Sequence, residues 1–299
     1  MQQAAASAAG AQHYPAGALY VVATPIGNLA DLTLRAIHVL ALVDAIACED
    51  TRHSAPLLRQ LGIEGKALLA VHEHNERDAA SGVLARLARG ERVAYVSDAG
   101  TPAVSDPGAA LVAAAQAAGY RCVPIPGASS AVAALSVAGD AVVGPFTFIG
   151  FLSSRAGERT RAVQQLAANT QAQVLFEAPH RIEALAAALA EACGVRPVTV
   201  CRELTKQFES VTTLPAAGLP AWLSADTNRS RGEFVLVVHA LAPVAADAEA
   251  PAFDHTLRTL LAALPLKQAV ALATELTGAP RNALYERALA LKRSADDPA

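Results

Sequence analysis

Short apolar runs, each closed by a cluster of turn formers, recur through the first half of the chain. Residues 18–23 (ALYVVA), 45–48 (AIAC), 67–71 (ALLAV), 93–96 (VAYV) and 121–125 (RCVPI) have the length of buried strands. A helical pattern follows each run. Asp31 or Thr33 is placed to cap the first helix, which runs to Leu42, and the later ones reach about Leu61, Arg89 and Ala118. Asp106 and Pro107 read as the N-cap and first turn of the helix that Gly119 closes. Five such units in series predict a mostly parallel α/β sheet. The polar and turn residues sit just after the strands, at positions that share one rim in such a sheet, and ligands bind there. Ser97-Asp98-Ala99-Gly100-Thr101-Pro102, after the fourth run, is read as the floor of a small-molecule site. Turns at Pro25-Ile26-Gly27 and Pro126-Gly127 lie on the same rim.

Gly144-Pro145 marks a change of pattern. Strands are predicted at 146–151, 174–177, 198–202, 208–213 and 233–239, with helices ending near Ala168, opening after 178–181 (APHR) and spanning 220–224. Residues 241–252 (LAPVAADAEAPA) read as a linker. Residues 253–293 hold three helical pieces separated by Pro265 and by 277–280 (TGAP), a helix-turn-helix-like module. Residues 1–17, rich in Ala, Gly and Gln, lack the basic start and apolar middle of a secretory signal and read as a disordered leader. The expected segments are therefore 1–17, an α/β domain at 18–144, a second at 145–240, the linker, and the helical module.

Composition narrows the partners. The chain is 53% hydrophobic with a formal net charge of −3, which suits a globular enzyme. Nothing global favours nucleic acid, so any RNA contact falls to local patches such as Arg155, Arg159 and Arg161. A solvated helix face is the plainer reading of those arginines, and phosphate contact the sharper one. Cys48, Cys122, Cys193 and Cys201 are scattered without a CxxC pair, which argues against a disulfide framework or zinc site and for a reducing cytoplasm. No apolar run reaches the roughly 18–20 residues needed to cross a bilayer. No GxGxxG or GxxxxGK[ST] occurs, so nicotinamide and P-loop chemistry lose their main support. His72-Glu73-His74 offers two imidazoles without an obvious third ligand, so an acid–base group at a strand end is the better reading than a metal. The charged 202–206 stretch (RELTK) follows an apolar strand and fits a cleft-lining position.

Taken together, TPIGNLADLTLRA (24–36), CEDTRH (48–53), HEHNE (72–76), SDAGTPAVSDPG (97–108), PGASSA (126–131), GFL (150–152), APHR (178–181), RELTK (202–206) and GEFVLVV (232–238) follow one another in that order. The chain closely resembles the ribosomal RNA small-subunit methyltransferase I (RsmI) family of the tetrapyrrole-methylase, or class III methyltransferase, superfamily. The resemblance covers about residues 18–240, and the terminal segment resembles that family's helix-turn-helix module. It implies an α/β, two-domain tetrapyrrole-methylase-like fold working as a homodimer, with S-adenosylmethionine in the cleft between the α/β domains. It also implies 2'-O-methylation of a cytidine ribose in 16S rRNA near the decoding centre. Carried over residue by residue, Pro25, Asp98, Ala99, Gly100, Thr101, Val104, Ser129 and Ser130 should line the cofactor, with Ala178 and Leu204 from the second domain.

Methyl transfer from a sulfonium is an in-line displacement that needs alignment and a dry cleft more than a metal, and none is expected. A ribose hydroxyl is weakly acidic, so a base or positive neighbour helps, and Glu73, His74, Arg52 and Lys206 are the candidates. The rival readings are a small-molecule methylase acting on a tetrapyrrole, a non-catalytic RNA-binding factor that retains a cofactor pocket, and a nicotinamide-dependent oxidoreductase.

Overall fold

The computed structural model describes residues 1–72, 76–142, 144–242 and 246–296. Its first sheet contains β1 (Ala18–Val22), β2 (Ala45–Cys48), β3 (Ala67–Ala70), β4 (Val93–Val96) and β5 (Arg121–Ile125). The order is β3-β2-β4-β1-β5, and every pair is parallel. Parallel strands need helical crossovers, which cover both faces of the sheet and explain the near-continuous apolar runs. Alternation along each strand divides the core in two. Tyr20, Ile46, Ala94 and Val96 face one cluster with Ile37 and Leu40 of α2 (Leu34–Leu42). Leu19, Ala47, Val93 and Tyr95 face the other, with Val83 and Leu87 of α4 (Glu76–Ala88) and Leu111 of α5 (Ala109–Ala117). Thr33 caps α2 by accepting from the Ala36 amide, so of the two caps expected it is Thr33 that serves this helix.

The second sheet contains β6 (Phe146–Phe151), β7 (Ala172–Glu177), β8 (Pro197–Arg202), β9 (Ser210–Pro215) and β10 (Phe234–Val238) in the order β6-β7-β10-β8-β9. Only β6 and β7 run parallel. One face is covered by α7 (Ala156–Ala168), α8 (Ile182–Cys193) and α9 (Leu219–Ser224). The other receives α6 (Ser130–Val137), whose Ala131 and Ala134 sit among Val174, Leu204, Val235 and Val237. Small side chains let this helix approach closely. The two sheets thereby belong to one compact unit, Met1–Ala240.

Three expectations are corrected. The leader is ordered over α1 (Gln2–Ala9): Ala5 and Ala9, one turn apart, are buried, and the Gln2 amide donates to the Leu61 and Gly62 carbonyls. Alanine has the highest helix propensity, and a small-residue stripe suffices once α2 offers a partner surface. Residues 241–252 are not all linker, because α10 (Ala246–Ala263) begins inside them. Asp106 does not cap α5. Gly108, at φ +117°, occupies the N-cap position, and the helix starts two residues later than the Asp-Pro pair suggests. The second unit, Leu241–Ala299, contains α10, α11 (Leu266–Thr277) and α12 (Arg281–Asp296) around Leu257, Val270, Leu284 and Ala288. Among the described residues no helix is long and apolar enough to cross a membrane.

Candidate functional site

The adjacent strands β4, β1 and β5 end together, and the turns beyond them are laced by hydrogen bonds. Thr24 and Gly100 exchange backbone bonds (N–O 2.9 and 3.1 Å), and the Thr24 hydroxyl donates to the Ser97 carbonyl at 3.1 Å. The Thr101 hydroxyl reaches the third turn, donating to the Ala128 carbonyl at 3.1 Å. Gly100 holds φ +80°, a left-handed conformation that suits glycine where the backbone must double back.

Ala99, Gly100, Thr101, Val104, Ser129 and Ser130 line a cleft of about 70 Å³. It adjoins a cavity of about 280 Å³, and Ala99, Asp106, Ser130, Phe151 and Phe176 wall both. The far wall is Ile26, Ala178, Leu204, Lys206 and Val235. Phe176 packs edge-on against Phe148 and Phe151, with centroids 5.1 and 5.6 Å apart. Eight of the ten residues expected at the cofactor thus line these two adjoining pockets. The other two, Pro25 and Asp98, line a neighbouring cavity of about 250 Å³ with Gly27, His53 and Leu57. They lie on the expected turns, next in sequence to residues of those pockets.

The expected catalytic residues separate further. Arg52 is 87% exposed and holds Asp50 through a 2.6 Å ion pair, which draws that carboxyl down to about 2. It walls none of these three cavities. Lys206 does reach the larger cavity, but its ammonium is 2.9 Å from Glu203 and 2.7 Å from Glu233. Burial opposes its charge, yet the two carboxylates outweigh that and hold it above the usual lysine range. A protonated amine cannot accept a proton, so Lys206 is a wall and a positive charge, not a base. Glu73 and His74 lie outside the described residues.

The pattern along the chain did not single out Asp106, Phe151 or Phe176 for the site. Asp106 lines both parts of the cleft. Its carboxyl is pushed up to about 6 by burial, then by the neighbouring Glu49 and Asp98, against a Ser97 hydrogen bond. The Cys201 thiol in the same wall is pushed up to about 12 by burial, which leaves it inert as a nucleophile at neutral pH. Asp50, His53 and Asp98 bring three ligand-type atoms within 4.8 Å of one another, but Arg52 occupies Asp50 and His53 Nδ1 lies 2.7 Å from Asp98.

S-adenosylmethionine fits this surface. Its amino-acid end needs hydrogen-bond partners, and its adenosine needs an apolar slot. The Ser129 side chain does not cap the N-terminus of α6 that it precedes, and a helix start beside the cleft suits a carboxylate. The larger cavity supplies the slot between Ile26, Phe176 and Leu204.

The family model for Tetrapyrrole (Corrin/Porphyrin) Methylases matches residues 18–220. Fold and site together define a protein of that class. The model for the RsmI C-terminal helix-turn-helix domain matches residues 247–292, taking in part of the expected linker. Over 276 residues the chain is 46% identical to ribosomal RNA small subunit methyltransferase I of Pseudomonas aeruginosa, spanning 92% of this chain and 97% of that one. The protein of the same name from Neisseria meningitidis serogroup B is 47% identical over 277 residues, 92% of this chain and 94% of its own. The chain belongs to the ribosomal RNA small subunit methyltransferase I family. Its fold is shared by a uroporphyrin-III C-methyltransferase from Thermus thermophilus, solved in complex with S-adenosylhomocysteine. That likeness has a TM-score of 0.53 at 15% identity, over 74% of this chain and 96% of the other.

Proposed function

We propose that the protein methylates the 2'-oxygen of a cytidine ribose in 16S rRNA near the decoding centre, using S-adenosylmethionine. The observation that carries the reading is the pair of adjoining pockets. A small cleft at the 99–101 turn and the start of α6 lies beside a larger apolar slot walled by both sheets. The Thr101 amide, with Ser129 and Ser130, would hold the amino-acid end. Ile26, Phe176, Ala178 and Leu204 would enclose the adenosine. When bound, S-adenosylmethionine supplies a methyl group on a positively charged sulfur. Closely packed aromatic and aliphatic walls exclude water that would compete for it.

The family relationship supports 16S rRNA as the substrate. Arg155, Arg159 and Arg161 at the start of α7, together with the C-terminal helical unit, are the surfaces proposed to meet its phosphates. The protein is proposed to act as a homodimer in the cytoplasm. Exposed Val132 and Val137 on α6 and Phe208 before β9 are apolar side chains a second copy would cover.

The test is transfer of labelled methyl from S-adenosylmethionine to small ribosomal subunits from cells lacking the protein, followed by mapping of the labelled nucleotide. About one methyl per subunit on one cytidine ribose is expected. Label on an added porphyrinogen and none on the subunit would assign the site to the tetrapyrrole substrates of the wider family.

A further inference from the structure

We propose that Asp106 is the general base that accepts the proton of the attacking ribose hydroxyl. The inference deepens the reading above and rests on it. Asp106 walls both the small cleft and the larger apolar cavity, so it stands at their junction. The segment that carries it is fastened on both sides. Ala103 and Ser105 both adopt left-handed backbone, at φ +64° and +65°, which side-chain-bearing residues occupy at a cost. The Tyr95 hydroxyl donates to the Pro107 carbonyl at 2.6 Å, immediately after Asp106. Gly108 lies against the Tyr95 ring, and Gly150 of β6 lies against Ser105, with no room for a Cβ at either position. Packing from both sheets therefore fixes one carboxylate at the mouth of the slot.

The charges around it suit the role. From β2 and the turn after β4 it faces Glu49 and Asp98, with His53 of α3 (Thr51–Gln60) bound to Asp98. From the second sheet the same cavity is lined by Glu177, Lys206 and Glu233. Lys206 is held by Glu203 and Glu233, and Arg181 by Glu177, so these cations are already engaged. Burial and the acidic neighbours raise the proton affinity of Asp106, which a base near neutral pH requires. In the step, the ribose O–H bond breaks and the proton passes to an Asp106 carboxylate oxygen. The freed oxygen pair forms the O–CH3 bond, while the C–S pair stays on sulfur as a neutral thioether. The proton then leaves Asp106 for water.

The test compares wild type with Asp106→Asn and Asp106→Glu in methyl transfer to small ribosomal subunits. Asp106→Asn is expected to lose about 100-fold or more in kcat. Its calorimetric affinity for S-adenosylhomocysteine is expected within threefold of wild type. Asp106→Glu should retain part of the rate, showing that the site tolerates a carboxylate. Wild-type kcat/KM should fall tenfold per pH unit below about 6, a limb absent from Asp106→Asn. Transfer by Asp106→Asn within threefold of wild type overturns the inference, as does a loss of S-adenosylhomocysteine affinity in step with the loss of rate. Carbon NMR of aspartate-labelled apoprotein, with the Asp106→Asn spectrum to assign the signal, gives a readout without turnover. Titration near 6 supports the base, and titration near the usual 4 overturns it. Wild type that leaves subunits unlabelled overturns the substrate reading, whereas active wild type beside an active Asp106→Asn overturns only the base.

Discussion

The turn after β4 and the turn after β8 meet the same cavity from opposite sheets, and they are built in contrasting ways. Each contains two side-chain-bearing residues in left-handed backbone: Ala103 and Ser105 in the first, Glu203 and Thr205 in the second. The second turn is tied by charge, with Lys206 bridging Glu203 and Glu233 and the Glu233 amide donating to Glu203 at 2.8 Å. The first is tied mainly by packing and uncharged hydrogen bonds, through Gly108 against Tyr95, the Tyr95 hydroxyl to Pro107, the Thr24 hydroxyl to Ser97 and the Thr101 hydroxyl to Ala128, with one His53–Asp98 contact. The difference lies in what each leaves free. A turn fastened by ion pairs has its charges occupied, whereas a turn fastened by packing presents a carboxylate, Asp106, that forms no ion pair among the described residues. On the proposed role of Asp106, neutralised charge marks scaffold here and a carboxylate without an ion pair among the described residues marks chemistry.

The sharpest way to break that contrast is a pair of glycine substitutions. A Cβ at Gly108 would penetrate the Tyr95 ring, which is buried and cannot move aside, and φ +117° adds backbone strain. Gly108→Ala should cost about 3 kcal/mol or more in urea unfolding. At Gly232 the Cβ would come within 2.5 Å of the Glu203 side chain, at φ +89°. Glu203 can rotate away at the loss of its ion pair, so Gly232→Ala should cost about 1–2 kcal/mol. Equal costs would mean that both turns are fastened alike.

The same contrast explains how much could be read from the chain alone. The order of strands and helices was legible because parallel strands buried on both faces leave unmistakable apolar runs at 18–23, 45–48 and 93–96. The convergence of Gly100, Thr101, Ser129 and Ser130 followed from turns sharing a rim. Which of two neighbouring cavities a turn residue lines was not legible, and Pro25 and Asp98 line the one beside the cleft. Asp106 read as a cap because Asp-Pro before an apolar run is a strong local signal. The signal is overridden by Tyr95, eleven residues earlier, which takes the Pro107 carbonyl. Helix α1 was missed since alanine signals helix only weakly until a neighbouring surface is known. Phe151 and Phe176 read as ordinary strand residues, and only the pairing of β6 with β7 turns them into one aromatic wall.

A weaker perturbation probes the charge-tied turn directly. Lys206→Met keeps the stem that packs over Gly27 and removes the ammonium. It should cost about 1 kcal/mol at pH 7, since the pair is only partly buried. Burial raises the Glu203 carboxyl, but hydrogen bonds from Lys206 and the Glu233 amide bring it below the usual range. A depressed carboxyl stabilises the fold above its unfolded value and loses that contribution as pH falls through its folded value. The cost of Lys206→Met should therefore shrink in acid, and a cost unchanged between pH 7 and pH 3 would show that packing, not charge, fastens this turn.

The smallest effect has the opposite sign. Asp106 is raised to about 6, first by burial and then by Glu49 and Asp98. A raised carboxyl favours the fold while protonated, so its contribution is complete below the unfolded value near 4 and is lost as pH climbs to about 6. At pH 8 the wild-type protein carries a charge there that its surroundings disfavour. Asp106→Asn removes that charge with little change of shape. The side chain is partly open to solvent, which reduces the effect to about 1 kcal/mol, or roughly 2–4 °C in Tm. The variant should melt higher than wild type at pH 8 and level with it at pH 4. A gain in stability that accompanies the loss of transfer would mark a residue kept for the reaction at the expense of the fold. A variant that melts lower than wild type at pH 8 would place Asp106 among the residues that fasten the turn.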